Sequence, residues 1–298
     1  MPESAEPDRW TRDLIAGCTF PPPKTRLVCA VSGGADSLAL MCLAVAAGCE
    51  VTAVHVDHGI REGSAREAEG VATAASRVGA SFRAERVRVA PGPNLEARAR
   101  SARFSVLPLD VATGHTADDQ AETVLLNLLR GAGRDGLAGM RPGWRHPILA
   151  LRRSQTVELC HRMGLVPIED PTNTDPAHLR NRVRHELIPL MSEAASRDVV
   201  VVLARQAGLM AEESDLLDLL ALELDPTEVS SLSDAPVALA RRAIREWLQG
   251  AGTYPPSSGS VERVMAVVRK EIRSCEVEGG LRVTRSAGKL RIASQTEL

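Results

Sequence analysis

Several features that this sequence lacks narrow the field. No stretch approaches the roughly 20 consecutive apolar residues of a membrane span. The start MPESAEPDRWTRDL has neither the basic head nor the apolar run of a signal peptide. A cytoplasmic protein with no membrane partner is expected. No C-x-x-C pair occurs, and the six cysteines (Cys18, Cys29, Cys42, Cys49, Cys160, Cys275) are scattered, three of them inside apolar runs. Buried, reduced thiols fit that pattern better than disulfides or a redox pair. A G-K-[ST] tripeptide is missing, so no Walker A loop is present, and the glycine-bearing segment Ser32–Ser37 lacks the dinucleotide pattern G-x-G-x-x-G. Net charge is only −2, which gives the whole protein no pull on nucleic acid; any such contact must be local. Lysine is scarce, confined to positions 24, 270 and 289, whereas arginine recurs at 130, 134, 141, 145, 152, 153, 180, 182 and 184. Composition bias and a demand for bidentate phosphate contacts both remain open as its cause.

What is present is the alternation of a globular α/β chain, and 298 residues suffice for one large domain or two ordinary ones. From Arg26 to Leu129 apolar runs alternate with helical patterns: RLVCAV, a helix from Ser37, EVTAVHV, a helix from Ser64, SFRAERVRV, a helix from Asn94, LDVATG and a helix from Thr116. This order predicts a doubly wound parallel sheet, with VTAVHV continuous as a strand covered on both faces should be. Ligands of such sheets bind beyond the carboxyl ends of the strands. Ser32–Ser37, His55–Gly59 and Gly114–Thr116 all fall there. Residues 131–147 (GAGRDGLAGMRPGWRHP) read as an irregular, basic, functional loop. Beyond about 190 the pattern becomes mainly helical and ends in a hairpin region. We therefore expect a catalytic domain over 1–190 and a smaller, mainly helical domain over 191–298.

The glycines of Ser32-Gly33-Gly34-Ala35-Asp36-Ser37 join a strand to a helix, so backbone N–H groups and the helix N-terminus can face a polyphosphate. For S-G-G alone, an ordinary turn with Ser37 as N-cap would serve as well. Asp36, so near phosphate, makes sense mainly through a bridging Mg²⁺. In GHTADDQAETVLLNLLRG, Ala121, Val124, Leu125 and Leu128 form one helical face, and His115, Asp119 and Glu122 follow on another. Helix capping by Thr116 and dipole compensation by Asp118 and Asp119 are the plain alternatives to binding Mg²⁺ or a cationic substrate. His55, Asp57 and His58 lack further ligands at zinc spacing; a nucleotide contact or a structural hydrogen bond stays open for them. Arg100 and Arg103 share one helix face, solvated unless a phosphate lies opposite. The turn Asp170-Pro171-Thr172-Asn173 precedes a basic helix start, Arg180-Asn181-Arg182-Val183-Arg184, whose charge opposes the helix dipole and so wants an anionic partner.

Taken in order, SGGADS, HVDHGIR, EARARSARF, GHTADDQAETVLLNLLRGAG, GLAGM and EDPTN…RNRVRHELIPLM resemble the motif series of the tRNA(Ile)-lysidine synthases, a PP-loop ATP pyrophosphatase family, across residues 32–191. The segment from Ser257 resembles that family's first C-terminal domain more loosely. The resemblance implies an ATP-dependent ligase that joins L-lysine to C2 of the wobble cytidine of a CAU-anticodon tRNA(Ile). It does so through an adenylated RNA with release of pyrophosphate and AMP, changing codon specificity from AUG to AUA. It implies ATP contacts at Ser32, Gly33, Gly34, Ala35, Asp36, Ser37, His55 and His115, with Mg²⁺ on Asp36. Catalytic roles are implied for Asp36, Arg100, Arg103 and His115, lysine binding for Asp119 and Glu122, and tRNA contacts for Arg130, Arg134, Arg141, Arg180, Arg182 and Arg184. A homodimer is left open.

Two departures from the family pattern bear on these expectations. The stretch between Phe104 and Gly114 is short and interrupted by Pro108, which affects how Arg100 and Arg103 are presented. The sequence ends at Leu298 without the further C-terminal domain of longer relatives, so tRNA recognition is expected to rest on one such domain. Among rivals, tRNA thiolases share S-G-G-x-D-S but depend on paired cysteines, and GMP-, NAD- or argininosuccinate-synthetase-like enzymes fit HVDHGIR and GHTADDQAET poorly. A catalytically silent RNA-binding module gains nothing from the near-neutral charge.

Overall fold

A computed structural model of the chain describes residues 8–57, 64–87, 95–168, 175–251 and 256–294. Helix α1 (Arg9–Ala16) is followed by β1 (Arg26–Ala30), α2 (Ala35–Ala46), β2 (Glu50–Asp57), α3 (Ser64–Val78), β3 (Ser81–Arg86), α4 (Leu95–Ser105), β4 (Ala112–Thr113) and α5 (Ala117–Leu129). The strands form one parallel sheet in the order β3-β2-β1-β4, the doubly wound arrangement expected. In β2 the run Ala53–His55 is buried throughout, as a strand covered on both faces requires, whereas β3 at the sheet edge is largely exposed and stops at Arg86.

Helix α2 is apolar on every side, and Ser37 through Ala44 are all buried. It is the central helix of the first core, where Leu40, Met41 and Leu43 meet Ile148 and Leu159. It begins at Ala35 with Gly34 as N-cap, two residues ahead of the expected start. Ser37 is therefore not the N-cap; its hydroxyl donates back to the Gly34 carbonyl at 2.9 Å from inside the first turn. The short Phe104–Gly114 stretch is absorbed by ending α4 at Ser105, packing Leu107 and Val111 on Val54, and reducing β4 to two residues.

After α5 the loop over 131–147 contains one helical turn, α6 (Arg134–Leu137), which the glycine-rich sequence had concealed. It is closed by Leu137 N–H to the Gly133 carbonyl at 3.1 Å and Ala138 N–H to the Arg134 carbonyl at 2.8 Å. Then come α7 (Arg153–Arg162), α8 (Leu179–Arg182), a π-helical turn over Val183–Leu187, α9 (Ile188–Ala194) and α10 (Val199–Ala221). Further on lie α11 (Val229–Asp234), α12 (Val237–Ala251), α13 (Ser258–Val268), β5 (Ser274–Val277), β6 (Leu281–Ser286) and β7 (Lys289–Ser294).

The chain divides into two compact units, one through Met210 and one from Ala211. In the second, α12 and α13 pack Ile244, Leu248, Val264 and Val268 against Val283 and Leu290 of the antiparallel sheet β5-β6-β7. The three strands extend the hairpin expected there.

Leu43 has no exposed surface in the α2 core. Truncating it, Leu43→Ala, should cost about 2–5 kcal/mol, read as a lower urea midpoint for the first unit.

Candidate functional site

The carboxyl end of β1 runs into Ser32–Ser37. Gly33 has φ +93°, and a Cβ there would lie 2.4 Å from Ile168 Cδ1, whose own N–H donates to the Gly33 carbonyl at 2.9 Å. Only glycine lets the loop turn at that point. Ser37 Oγ accepts from the Ser32 N–H at 3.2 Å and lies 3.2 Å from Ser32 Oγ, which closes the loop on itself. The N–H groups of Ala35 and Asp36, in the first turn of α2, have no acceptor inside the helix and supply an anion cradle.

Gly114, at the end of β4, touches the same loop from the other side: a Cβ on it would sit 2.7 Å from the Asp36 carbonyl oxygen. Beside it, Thr113 Oγ1 bonds His115 Nδ1 at 2.7 Å and His146 Nδ1 at 2.9 Å, and the two imidazoles meet edge to face. His115 thus lies at the loop's rim with a histidine partner that periodicity had not suggested. His55 is buried, with Nδ1 held 2.9 Å from the Val31 carbonyl, so a structural hydrogen bond is its visible role.

Thr116 is the N-cap of α5, and Asp119 Oδ2 accepts from both its N–H and its hydroxyl at 3.0 Å. The capping alternative for Asp119 is therefore real, but it uses one oxygen. Oδ1 points away and accepts from Arg153 and Arg180 at 3.0 Å each. One turn on, Glu122 is 1% exposed and takes Arg153 Nη1 at 3.3 Å, Arg180 Nε at 2.7 Å and Arg184 Nε at 2.6 Å. Arg153 also reaches Asp36 Oδ2 at 3.2 Å, and Thr156, one turn along α7, donates to Asp36 Oδ1. One guanidinium thus touches the carboxylate of the anion loop and both acids of α5.

Burial pushes the Asp36 carboxyl above its ordinary range, opposed by Thr156 and Arg153. Burial acts the same way on Asp119, but there Arg153, the Thr116 N–H, Arg180 and His115 outweigh it and hold the carboxyl below its usual value. Asp118 follows the same pattern through Arg152 and the Arg153 N–H, at the entry to α7.

The expected site residues divide accordingly. Ser32–Ser37, His115, Asp119 and Glu122 converge at the carboxyl edge of the sheet. Arg180 and Arg184 converge there too, turned inward onto carboxylates, which meets the anionic partner that their helix position demanded. Arg182 instead pairs with Glu186 at 3.3 Å on the surface. Arg130 and Arg141 are exposed on either side of α6, and Arg134 opens it. Arg103 occupies the last turn of α4 and is half-buried. The Arg100 side chain, His58 and the Asp170–Asn173 turn lie outside the described residues. Arg153 was not singled out for the site, because its partners stand 31, 34 and 117 positions away in sequence.

The pattern of the PP-loop domain family matches residues 11–191, and that of the TilS substrate binding domain matches residues 228–291. The tRNA(Ile)-lysidine synthase of Nocardia farcinica is 39% identical over 284 residues, 90% of this chain and 88% of that one. The chain belongs to the tRNA(Ile)-lysidine synthase family. Its counterpart from Rhodococcus erythropolis is 42% identical over 262 residues, covering 83% and 81% of the two chains, and that of Mycobacterium tuberculosis is 39% identical over 272, covering 85% and 83%. Among solved structures, the U34-tRNA thiolase NcsA from Methanococcus maripaludis, with its [4Fe-4S] cluster, superposes with a TM-score of 0.52 at 15% identity over 67% of this chain and 78% of that one; the likeness is one of fold. Ser32–Ser37 lie within the stretch matched by the PP-loop domain.

The close approach at Gly114 is directly testable. Gly114→Ala should drive the methyl into the Asp36–Ser37 peptide, cost about 1–3 kcal/mol of stability, and weaken ATP binding by at least about tenfold. Calorimetric ATP titration unchanged from wild type would refute this placement.

Proposed function

We propose that this protein ligates L-lysine to the wobble cytidine of CAU-anticodon tRNA(Ile), using ATP to adenylate the base first. The observation that carries the reading is the pair of α5 carboxylates, Asp119 and Glu122, tied by Arg153 to the loop carboxylate Asp36. The loop proposed for ATP and a pair of carboxylates able to take a cation are thereby one connected site.

The chemistry follows from leaving-group strength. The cytosine C2 oxygen attacks the α-phosphorus of ATP, pyrophosphate departs, and the ring oxygen becomes part of AMP, a far better leaving group. A lysine amine then adds at C2 and AMP leaves. The N–H groups of the α2 N-terminus face the phosphates, where negative charge shifts toward pyrophosphate. His115 borders the nucleotide. Asp36 would give one oxygen to a Mg²⁺ arriving with ATP. Among the described residues no three His, Cys, Asp or Glu side chains cluster as a metal site, so phosphate and water oxygens would complete the ion's shell. Bound Mg²⁺ neutralises triphosphate charge.

Asp119 and Glu122 would anchor lysine by one ammonium group. An ammonium paired with two carboxylates stays protonated and cannot be the nucleophile, so the other amine is left to attack. The charges in the cluster already balance, three carboxylates against Arg153, Arg180 and Arg184. Lysine therefore has to displace a guanidinium, and Arg180 and Arg184 have the phosphates of ATP or RNA as alternative partners. Exposed Arg130, Arg134 and Arg141 would meet the RNA backbone, with the second unit as a further tRNA contact. An anticodon-loop base suits the pocket because it can be splayed out without breaking a duplex. We place the activity in the cytoplasm; among the described residues no helix is long and apolar enough to cross a membrane. Arg100 and Arg103 remain proposed supports of adenylation, and a homodimer a proposed assembly.

Labelled lysine should enter CAU-anticodon tRNA(Ile) only with ATP present, and pyrophosphate should be released with ATP and tRNA before lysine is added. Entry of labelled sulfur instead would overturn the reading. Asp36→Asn should abolish both steps. Asp119→Asn should leave pyrophosphate release within about threefold of wild type while raising KM for lysine at least about tenfold; equal loss of both steps would refute the division of labour.

A further inference from the structure

The chain has three tryptophans, and two have structural occupations. Trp10 packs against the first core and carries the Arg162 guanidinium 4.2 Å above its ring; Trp247 packs against the core of the second unit. Trp144 is 57% exposed. Its position is nonetheless fixed. Residues 143–146 form a closed turn, with the His146 N–H donating to the Gly143 carbonyl at 2.9 Å and Gly143 bridged to His146. The Gly143 N–H donates to Thr19 Oγ1 at 3.0 Å, and the Thr113 N–H donates to the Arg145 carbonyl at 2.9 Å. Thr113 leads directly into Gly114, whose Cα abuts the Asp36–Ser37 peptide of the ATP loop. An indole is thus held out to solvent on a pinned turn at the rim of the adenylation site, with exposed Arg141 and Arg145 beside it in sequence.

We propose that Trp144 is a stacking platform for an unpaired nucleobase of the RNA substrate, adjacent to the cytidine that enters the site. This rests on the tRNA reading above and deepens it. An exposed indole offers a flat, sequence-tolerant π-face, and neighbouring guanidinium groups suit the flanking phosphates. Because the turn is already ordered by backbone hydrogen bonds, stacking does not have to immobilise a loop. The adenine of ATP offers the same ring chemistry, but the charge beside Trp144 and its outward exposure favour a base that arrives with its own chain of phosphates.

The test compares the full-length protein with Trp144→Ala and Trp144→Phe, using a 17-nucleotide anticodon stem-loop with a CAU loop and, separately, ATP. Trp144→Ala should weaken stem-loop binding about 5- to 150-fold, raise KM for tRNA more than it lowers kcat, and leave ATP affinity and Tm near wild type. Trp144→Phe should recover most of the binding. Wild-type fluorescence should be quenched by the stem-loop to a greater extent than that of Trp144→Phe, which retains Trp10 and Trp247. Unchanged stem-loop affinity in Trp144→Ala would overturn the platform, and so would a loss seen equally for ATP, which would assign the ring to adenine. Neither result touches lysine incorporation by the wild-type protein, whose absence would instead defeat the functional reading itself.

Discussion

A carboxylate as buried as Glu122 cannot stay charged in a protein interior without cations and hydrogen bonds around it. Three arginines from two separated segments satisfy that requirement. Meeting it aligns much of the catalytic unit: α5 must present Glu122 toward α7, α7 must start where Arg153 can reach it, and the α8–π-helical segment must aim Arg180 and Arg184 at the same point. Taking away one partner of such a cluster typically costs about 3–5 kcal/mol, because the remaining charges are left uncompensated. The arrangement is therefore a structural keystone as well as the proposed binding site, and replacements that keep the shape, such as amides, are better probes than truncations.

The same cluster links two parts of the site. Arg153 spans Asp36 of the Ser32–Ser37 loop and the acids of α5, so under the proposed function a change in phosphate charge at the loop would be felt where lysine is to be held. Its pKa is pushed upward by Asp119, Asp36 and Glu122 against the cost of burial, so it remains a fixed cation during the reaction. The thiols behave in the opposite way. Burial raises Cys18 and Cys42 to about 12 and Cys160 to about 11, and all six cysteines are free. Thiolates are the nucleophiles and cluster ligands of sulfur chemistry. Sharing a fold with a tRNA thiolase, this chain has no thiol prepared for that reaction.

Much of this was legible along the chain because it is written locally. Gly33 before a helix, the Thr116 cap and the i, i+3 spacing of Asp119 and Glu122 are short-range signals, and the alternation of strands and helices predicts the parallel sheet. Even the RNRVR segment announced a need for anions, though not that they would be carboxylates of α5. What was not legible depends on distant pairs. Arg153 looked like one of many arginines until the fold brought residues 36, 119 and 122 around it, and His146 lay hidden in a glycine-rich loop until Thr113 joined it to His115. The start of α2 was misplaced because Ser37 resembles an N-cap in sequence, whereas the turn at Gly33 lets Gly34 take that position.

The central claim is that lysine takes over carboxylates that arginines occupy in this structure. A crystal structure of the protein with lysine and a non-hydrolysable ATP analogue tests it most directly. The account predicts a lysine ammonium within about 3 Å of both Asp119 and Glu122, with Arg180 or Arg184 withdrawn toward phosphate and Arg153 still in place. All three guanidinium groups remaining on Glu122, with lysine bound elsewhere, would contradict it.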